Sequence, residues 1–155
     1  MEHATEAHAA TEHDDVHETV DAQLRRTRQR YTEGRRQLVD VLLELDRPAT
    51  LPELVGSGAQ QSQSSLYRNL AVLEQCGVVR RVASLDDTAR YELDEGLTHH
   101  HHHLVCQACG RVDDVTLPHA IEVAFERAAT AAREQRGFEV EAHRVELVGT
   151  CTDCR

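Results

Sequence analysis

The sequence of 155 residues contains no tryptophan, and only 3% of its residues are aromatic. With so few large side chains, two domains of roughly 60 residues each would be marginally stable alone, so a metal site or a dimer interface is expected. No segment approaches the roughly 20 apolar residues of a membrane span, and residues 1–10 are acidic rather than signal-like. These absences predict a cytoplasmic protein that does not bind membranes.

The motifs of several enzyme classes are also missing. The sequence has no H-E-x-x-H, no nucleophile elbow and no glycine-rich phosphate loop. The chain is therefore predicted not to be an enzyme, with a zinc hydrolase that uses histidine and glutamate ligands kept as an alternative. A metal storage or delivery protein is a second alternative, suggested by eleven histidines and an acidic N-terminal segment.

The negative charge is unevenly distributed. Of the net charge of −10, residues 1–23 contribute −7, because they hold seven acidic residues and no arginine, and the rest of the chain contributes −3. Residues 24–36 reverse the sign, with six arginines against Glu33. Contact with phosphates depends on such a local basic face rather than on the total charge. Residues 1–15 lack apolar periodicity and are predicted to form a disordered tail whose histidines could bind metal loosely.

Residues 16–93 show helical periodicity followed by a hairpin pattern. Apolar stripes and capping residues predict three helices: one that ends at Asp46-Arg47-Pro48, a short one over Leu51–Val55 after the N-cap Thr50, and one from about Ser62 or Ser64 to Gly77 that buries Leu66, Leu70 and Leu73. Two short strands are predicted to flank a polar turn, in the order Val78–Val82, Asp86-Asp87 and Arg90–Leu93. This order of elements is that of a winged helix-turn-helix domain.

The second half of the chain predicts a smaller mixed domain. Residues 94–98 form a polar hinge, and residues 99–155 contain strands over 99–106 and 112–115, a helix from Pro118 to Gly137 and a last strand over 138–148. The predicted fold class is α+β: an N-terminal winged helix-turn-helix at 16–93, followed by a small α/β domain suited to dimerisation.

Four of the five cysteines form two C-x-x-C pairs, Cys106 with Cys109 and Cys151 with Cys154. Each pair can present two thiolates to one ion, and two pairs from separate segments complete the tetrahedron of a structural Zn²⁺ site. A redox C-x-x-C is typically a single motif at the start of a helix, so structural zinc is favoured. Cys76, near the end of the third helix, is predicted to be a small core residue.

Five consecutive histidines, residues 99–103, precede the first cysteine pair. If the segment is extended, His101 and His103 face one side while His100 and His102 face the other, so one strand could serve two metal sites. A solvated polar strand is the alternative. Imidazole with carboxylate suits Zn, Fe, Ni, Co or Mn, and further ligands could come from Glu92, Asp114, Glu122 and His143. The pattern alone does not assign these four residues to a face.

From about Arg30 to Arg155 the chain resembles the ferric uptake regulator (Fur) superfamily. The similarity is most specific in H-H-H-H-L-V-C-x-x-C-G with the late C-x-x-C, and it includes S-S-L-Y-R-N-L and G-V-V-R-R…R-Y-E-L in the same order. The resemblance implies a homodimeric repressor that binds palindromic operator DNA when a regulatory metal is loaded, and that controls metal uptake or peroxide-stress genes. It implies Zn²⁺ as a structural cofactor and Fe²⁺, Zn²⁺, Mn²⁺ or Ni²⁺ as the regulator.

The same resemblance implies roles for residues at matching positions. The structural zinc falls on Cys106, Cys109, Cys151 and Cys154. The hinge-side regulatory site falls on Glu92, His101, His103 and Asp114, and the second site falls on His100, His102, Glu122 and His143. DNA contacts are implied for Arg30, Ser64, Ser65, Tyr67 and Arg68, and Tyr67 is predicted to be exposed because it lies off the buried stripe of its helix.

The chain departs from the family pattern at two places. Many members supply a histidine to the hinge-side site where this chain has Pro48 or Ala49, so the site is either short of one ligand or takes it from a histidine of the N-terminal segment. The hinge reads Asp94-Glu95-Gly96 and lacks the cysteine of the zinc-sensing branch, while Glu92 and Asp114 are compatible with a peroxide sensor. The resulting hypothesis is that a regulatory metal joins the two domains across residues 94–98 and so sets the spacing of the DNA-binding helices.

Overall fold

The computed structural model describes the backbone of residues 3–82 and 87–155 and the side chains of residues 15–82 and 87–155. The chain divides into two compact units, one that ends at His99 and one that begins at His100. Each unit has its own three-stranded sheet. The mixed helix and sheet content confirms the predicted α+β class.

The first unit contains four helices and a small sheet. Its elements are α1 (His3–Arg26), α2 (Glu33–Leu45), β1 (Ala49–Thr50), α3 (Leu51–Gly56), α4 (Gln63–Gln75), β2 (Val79–Val82) and β3 (Arg90–Leu93). The strands are ordered β1-β3-β2 and both pairings are antiparallel. The predicted stripe Leu66, Leu70 and Leu73 on α4 is buried, and it packs in one core with apolar residues of α1, α2 and α3.

The predicted helix caps are present. The Thr50 side chain accepts a hydrogen bond from the backbone N–H of Glu53, and the Glu53 carboxylate accepts one from the backbone N–H of Thr50 at 2.7 Å. The Ser62 hydroxyl caps α4 by accepting from the backbone N–H of Ser65 at 3.3 Å. These side chains satisfy backbone donors that have no partner within the helix, so the sequence fixes where both helices begin.

The second unit is built on the strand that carries the histidines. Its elements are β4 (His102–Cys106), β5 (Val112–Val115), α5 (His119–Arg136), β6 (Glu146–Gly149) and a short 3₁₀ turn at Thr152–Cys154. The central strand β4 pairs antiparallel with β5 and parallel with β6. Helix α5 ends at Gly137, which adopts a left-handed conformation with φ of 63°, as the glycine predicted to close the helix can do without strain.

Several predicted boundaries need correction. Helix α1 begins at His3, where disorder is predicted over residues 1–15; the segment has no proline or glycine to stop a helix that continues from Val16. The predicted strand over 99–106 is shorter, because only His102–Cys106 pairs with neighbours. The predicted last strand over 138–148 is reduced to Glu146–Gly149, since the preceding residues form no ladder with β4. In the predicted turn Asp86-Asp87, Asp86 lies outside the described residues.

Candidate metal centres and DNA-reading helix

The four predicted zinc-binding cysteines converge at one end of the second sheet. Cys106 ends β4, and the parallel register that pairs it with Gly149 of β6 brings the following Cys151 close. The backbone between Cys106 and Cys109 turns tightly, with the N–H of Gly110 bonded to the carbonyl of Cys106 at 2.8 Å and Gly110 at a φ of 72°. The four sulfur atoms all lie within 4.8 Å of one another.

The geometry and chemistry of this donor set fit a tetrahedral zinc ion. Sulfurs about 2.3 Å from Zn²⁺ would be about 3.8 Å apart, so the 3.8 Å between the Cys109 and Cys151 sulfurs matches this separation. The N–H of Cys151 donates to the Cys106 sulfur and lowers the pKa of that thiol to about 6. Hydrogen bonds with the Cys109 and Cys151 sulfurs raise the pKa of Cys154 to about 12. Four thiolates this close therefore need a bound cation to ionise together.

A second cluster lies on one face of β4. The Nε2 of His102 is 2.9 Å from one oxygen of Glu122, and the Nε2 of His143 is 3.1 Å from the other oxygen. The Nε2 atoms of His100 and His143 are 3.2 Å apart, close to the roughly 3.3 Å expected for two imidazoles on a tetrahedral zinc. All four donor groups lie within 4.8 Å of one another. Three nitrogens and one carboxylate form a set that suits a divalent transition metal.

Burial and ionisation support the same interpretation of this cluster. The His102 side chain is only 1% exposed, so its Nε2 needs a partner, and the Glu122 carboxylate or a metal ion can fill that role. Hydrogen bonding from His102 lowers the pKa of Glu122, which keeps that carboxylate charged. Glu122 on α5 and His143 on the segment before β6 thus lie where they could ligate a metal ion together with His100 and His102.

A third group lies on the opposite face of β4. The antiparallel register pairs His103 directly with Asp114 of β5, and the two imidazoles of His101 and His103 have ring centroids 5.5 Å apart. The Nε2 of His101 lies 3.6 Å from one oxygen of Asp114, and that of His103 lies 3.9 Å from the other oxygen. Both separations exceed a direct hydrogen bond and leave room for an ion between the three groups.

The fourth residue predicted for that site, Glu92, belongs to the first unit. It lies on β3, is 4% exposed, and forms an ion pair with Arg80 on the neighbouring strand β2. Arg80 also contacts Glu95 at 2.6 Å. Sequence reasoning missed Arg80, although the hairpin register that pairs it with Glu92 could have indicated a cross-strand ion pair. The participation of Glu92 in the metal site stays a prediction.

Of the histidines in the N-terminal segment, only His17 has a described side chain, and its hydrogen bonds are to other residues of the first unit. His17 is engaged within the first unit, with Nδ1 2.6 Å from the Tyr31 hydroxyl and Nε2 2.8 Å from Asp40. The side chains of His3, His8 and His13 lie outside the described residues. The proposal that this segment replaces the ligand missing at Pro48 or Ala49 stays a prediction.

Helix α4 exposes the residues predicted to contact DNA. Tyr67 is 49% exposed, as its position off the Leu66–Leu70 stripe predicts. Arg68 and Ser64 are exposed beside it, Ser65 is half-buried, and Arg30 is exposed ahead of α2. The Arg68 guanidinium folds back toward the start of the helix, where it donates to the Ser64 carbonyl at 3.3 Å. An exposed arginine and tyrosine on one helix face can donate hydrogen bonds to phosphates and base edges.

Two further observations concern the long helices and the fifth cysteine. Among the residues that the structure describes, no helix combines the length and apolarity that a membrane crossing requires. Cys76 is half-buried at the end of α4, and its sulfur lies 3.0 Å from the Thr27 hydroxyl, apart from the other four cysteines.

Comparisons of this chain with a family model, with curated proteins and with solved structures agree on one family. The model of the ferric uptake regulator family matches residues 26–148. The peroxide-responsive repressor PerR of Staphylococcus epidermidis is 28% identical over 138 residues, which cover 86% of this chain and 87% of the repressor. A zinc-bound manganese uptake regulator is 30% identical in sequence, with a TM-score of 0.62 over 86% of this chain and 98% of that structure.

The fold is shared with a more distant regulator as well. The Helicobacter pylori ferric uptake regulator, whose structure reveals three functional metal-binding sites, superposes with a TM-score of 0.70 at 20% identity, over 92% of this chain and 93% of that one. Members of this family are transcriptional regulators and not enzymes, so the predicted function of metal-responsive repression is confirmed and the hydrolase and storage alternatives are set aside. The chain belongs to the ferric uptake regulator family.

Proposed function

We propose that this chain is a dimeric repressor whose affinity for operator DNA is controlled by a divalent metal bound by the histidines of residues 100–103, at the start of β4. The observation that carries the proposal is that residues 100–103 present ligands on two sides, with His101 and His103 beside Asp114 and with His100 and His102 beside Glu122. A strand that only needed to be polar and solvated would not bury His102 against a carboxylate.

The cysteine cluster has a structural role in this proposal. A Zn²⁺ ion would be held by Cys106, Cys109, Cys151 and Cys154, and it would link residues 151–154 to β4. Because such a site does not exist in the unfolded chain, the free energy of zinc binding adds to the free energy of folding. This matters for a unit of 56 residues with only three buried apolar or cysteine side chains, Val105, Cys106 and Val112, beside the buried imidazole of His102.

The regulatory site is proposed to be His101, His103 and Asp114, joined by Glu92 across residues 94–98. His100, His102, Glu122 and His143 would hold a second ion within the dimerisation unit. Ligation requires neutral imidazoles, so metal binding should weaken in acid. Imidazole and carboxylate ligands are compatible with Fe²⁺, Zn²⁺, Mn²⁺ and Ni²⁺ as the ion that is sensed.

The partner in the dimer is proposed to be a second copy that covers the apolar surface of the second unit. No residue of α5 is buried within the described chain, and several large apolar side chains are exposed in this unit, namely Leu104, Ile121, Phe138, Val140, Leu147 and Val148. Strand β6 is also an edge of its sheet, with every residue exposed. An apolar patch next to an open strand edge is typical of a protein interface.

Operator DNA is proposed to contact α4 through Ser64, Ser65, Tyr67 and Arg68, with Arg30 reaching the neighbouring minor groove. In a twofold dimer the distance between the two α4 helices must match two half-sites on one face of the duplex. Metal that binds the DNA-competent arrangement more tightly shifts the population toward it. A coupling of about 1–3 kcal/mol would raise operator affinity roughly 5–150-fold. The site of action would be the cytoplasm.

The experiment that tests this function is a gel shift on the DNA upstream of the protein's own gene. The full chain, loaded with zinc at the cysteine site, is titrated with Fe²⁺, Mn²⁺, Ni²⁺ and Zn²⁺ at buffered free concentrations. At least one ion should raise affinity for this DNA over a scrambled duplex of equal length. Sequence-independent binding with every ion, or hydrolysis without DNA discrimination, would refute the proposal.

A further inference from the structure

A chain of hydrogen bonds joins the DNA-reading helix to α2. The Arg35 Nε donates to Asn69 Oδ1 at 3.3 Å, the Asn69 Nδ2 donates to Gln61 Oε1 at 2.7 Å, and the Gln61 Nε2 donates to the carbonyl of Gly34 at 2.6 Å. We call these four residues the Asn69 relay. All four are half-buried, so water competes weakly for their hydrogen bonds.

The direction of the relay is dictated by chemistry. Arg35 has only donors, so it must face the amide oxygen of Asn69. That leaves the Asn69 amide nitrogen to donate to the Gln61 oxygen, and it leaves the Gln61 nitrogen to donate to the Gly34 carbonyl. Reversing either amide would place two donors or two acceptors together. The relay therefore fixes both amide orientations as well as the positions of the helices.

Glycine at position 34 is what allows this close approach. A Cβ on Gly34 would lie 3.0 Å from Gln61 Oε1 and 3.1 Å from Asn69 Nδ2. Both distances fall below ordinary van der Waals contact, and both atoms are held in place by the relay. A side chain at this position would therefore push the two amides by a few tenths of an ångström, while the backbone conformation of position 34 suits alanine as well as glycine.

The relay reaches both elements proposed to touch DNA. Asn69 follows Arg68 directly on α4, between the exposed face and the buried Leu70. At the other end, Arg35 Nη1 donates to the carbonyl of Arg30 at 2.5 Å. The exposed Arg30 and the exposed Tyr67–Arg68 pair are thus tied to one set of side chains that make no proposed contact with DNA themselves.

We propose that Asn69, Gln61 and Arg35 are positioning residues for sequence reading, and that Gly34 supports them because a Cβ at this position would push both amides by a few tenths of an ångström. The proposal rests on α4 being the reading helix, as proposed above. Base contacts demand a fixed helix position, whereas contacts between arginine and phosphate tolerate small shifts. Loss of the relay should therefore reduce discrimination between operator and other DNA more than it reduces binding to DNA in general.

The test compares the full zinc-containing protein with the variants Asn69→Asp, Gln61→Ala and Gly34→Ala, each loaded with the activating metal. Gln60→Ala is the matched control, because Gln60 is exposed, adjacent to Gln61 and outside the relay. Affinity is measured by fluorescence anisotropy for the protein's own upstream duplex and for a scrambled duplex at two salt concentrations. Metal content and melting temperature are measured for each sample.

In each relay variant the ratio of operator affinity to scrambled-duplex affinity should fall about 5- to 50-fold. This is the effect expected when specific contacts to one or two base pairs are lost. Scrambled-duplex affinity, its salt dependence and metal content should stay within about twofold of the wild type. Gly34→Ala is the most informative variant. Alanine is a better helix former than glycine, so a merely structural role predicts an equal or higher melting temperature with unchanged discrimination.

An unchanged affinity ratio in folded Gly34→Ala and Asn69→Asp would overturn the inference, as would an equal loss on both duplexes. The variant Arg68→Ala separates this failure from failure of the proposed function. If the wild type discriminates between the duplexes and Arg68→Ala does not, α4 is the reading helix and the relay variants test the relay alone. If the wild type itself shows no discrimination, the proposed function and the relay inference are both wrong.

Discussion

Replacing Phe138 with alanine should dissociate the proposed dimer without unfolding the protomer. The ring is 63% exposed in the single chain, and a phenylalanine presents roughly 200 Å² of surface. About 100 Å² per protomer would therefore be covered by the partner and lost on truncation, which corresponds to about 2.5 kcal/mol at 25 cal/mol/Å². Surface buried at an interface contributes less to the free energy of binding than the area coefficient gives, so we expect a loss of about 1–2.5 kcal/mol per protomer.

A twofold dimer contains this contact twice, because the same patch meets its copy. The total of about 2–5 kcal/mol predicts a dimer Kd raised by about 30- to 5000-fold. The assay is sedimentation velocity or mass photometry over a dilution series of the zinc-loaded protein. Val55→Ala is the matched control, since Val55 is an apolar residue that is 50% exposed on α3 of the other unit. A folded Phe138→Ala protein with the dimer Kd of the wild type would refute this assignment of the interface.

Two further predictions concern the metal sites. Cys106→Ser should lose zinc and the dimer together, because it removes a ligand whose thiol pKa of about 6 favours the thiolate, while Cys76→Ser should lose neither; zinc content and sedimentation check both. The pKa of Glu122 is lowered from its ordinary value of 4.5, so its ionised form stabilises the folded state above that pH and the stabilisation is lost as the pH falls through the lowered value. Wild-type protein that keeps zinc in its cysteine cluster and carries no other metal should therefore lose melting temperature in acid more steeply than Glu122→Gln prepared in the same way, and parallel pH profiles would contradict this.

Local patterns in the sequence predicted those elements whose formation depends on residues close together in the sequence. The Leu66, Leu70 and Leu73 stripe, the Thr50 capping box and the Gly137 helix end were all predictable, because each is decided within a few residues. The same holds for the alternation of the histidines over residues 100–103, since successive side chains along an extended segment point to opposite sides.

Features that depend on distant pairing were not predictable. The two-residue strand β1 exists only because β3 passes beside it, and the segment before β6 has strand-like residues but no partner strand. The Asn69 relay joins residues up to 35 positions apart through side-chain amides, which leave no periodic trace in sequence. Arg80 was missed for a related reason, because its ion pair with Glu92 can be predicted only after the hairpin register has been assigned.

The most direct test of the central claim is operator binding by the double variant His101→Ala with His103→Ala. Zinc content, dimer mass and affinity for the upstream duplex are measured with and without the activating metal, beside the wild type. The account predicts a folded, zinc-containing dimer whose DNA affinity no longer responds to metal. A double variant that retains the full metal response would contradict it.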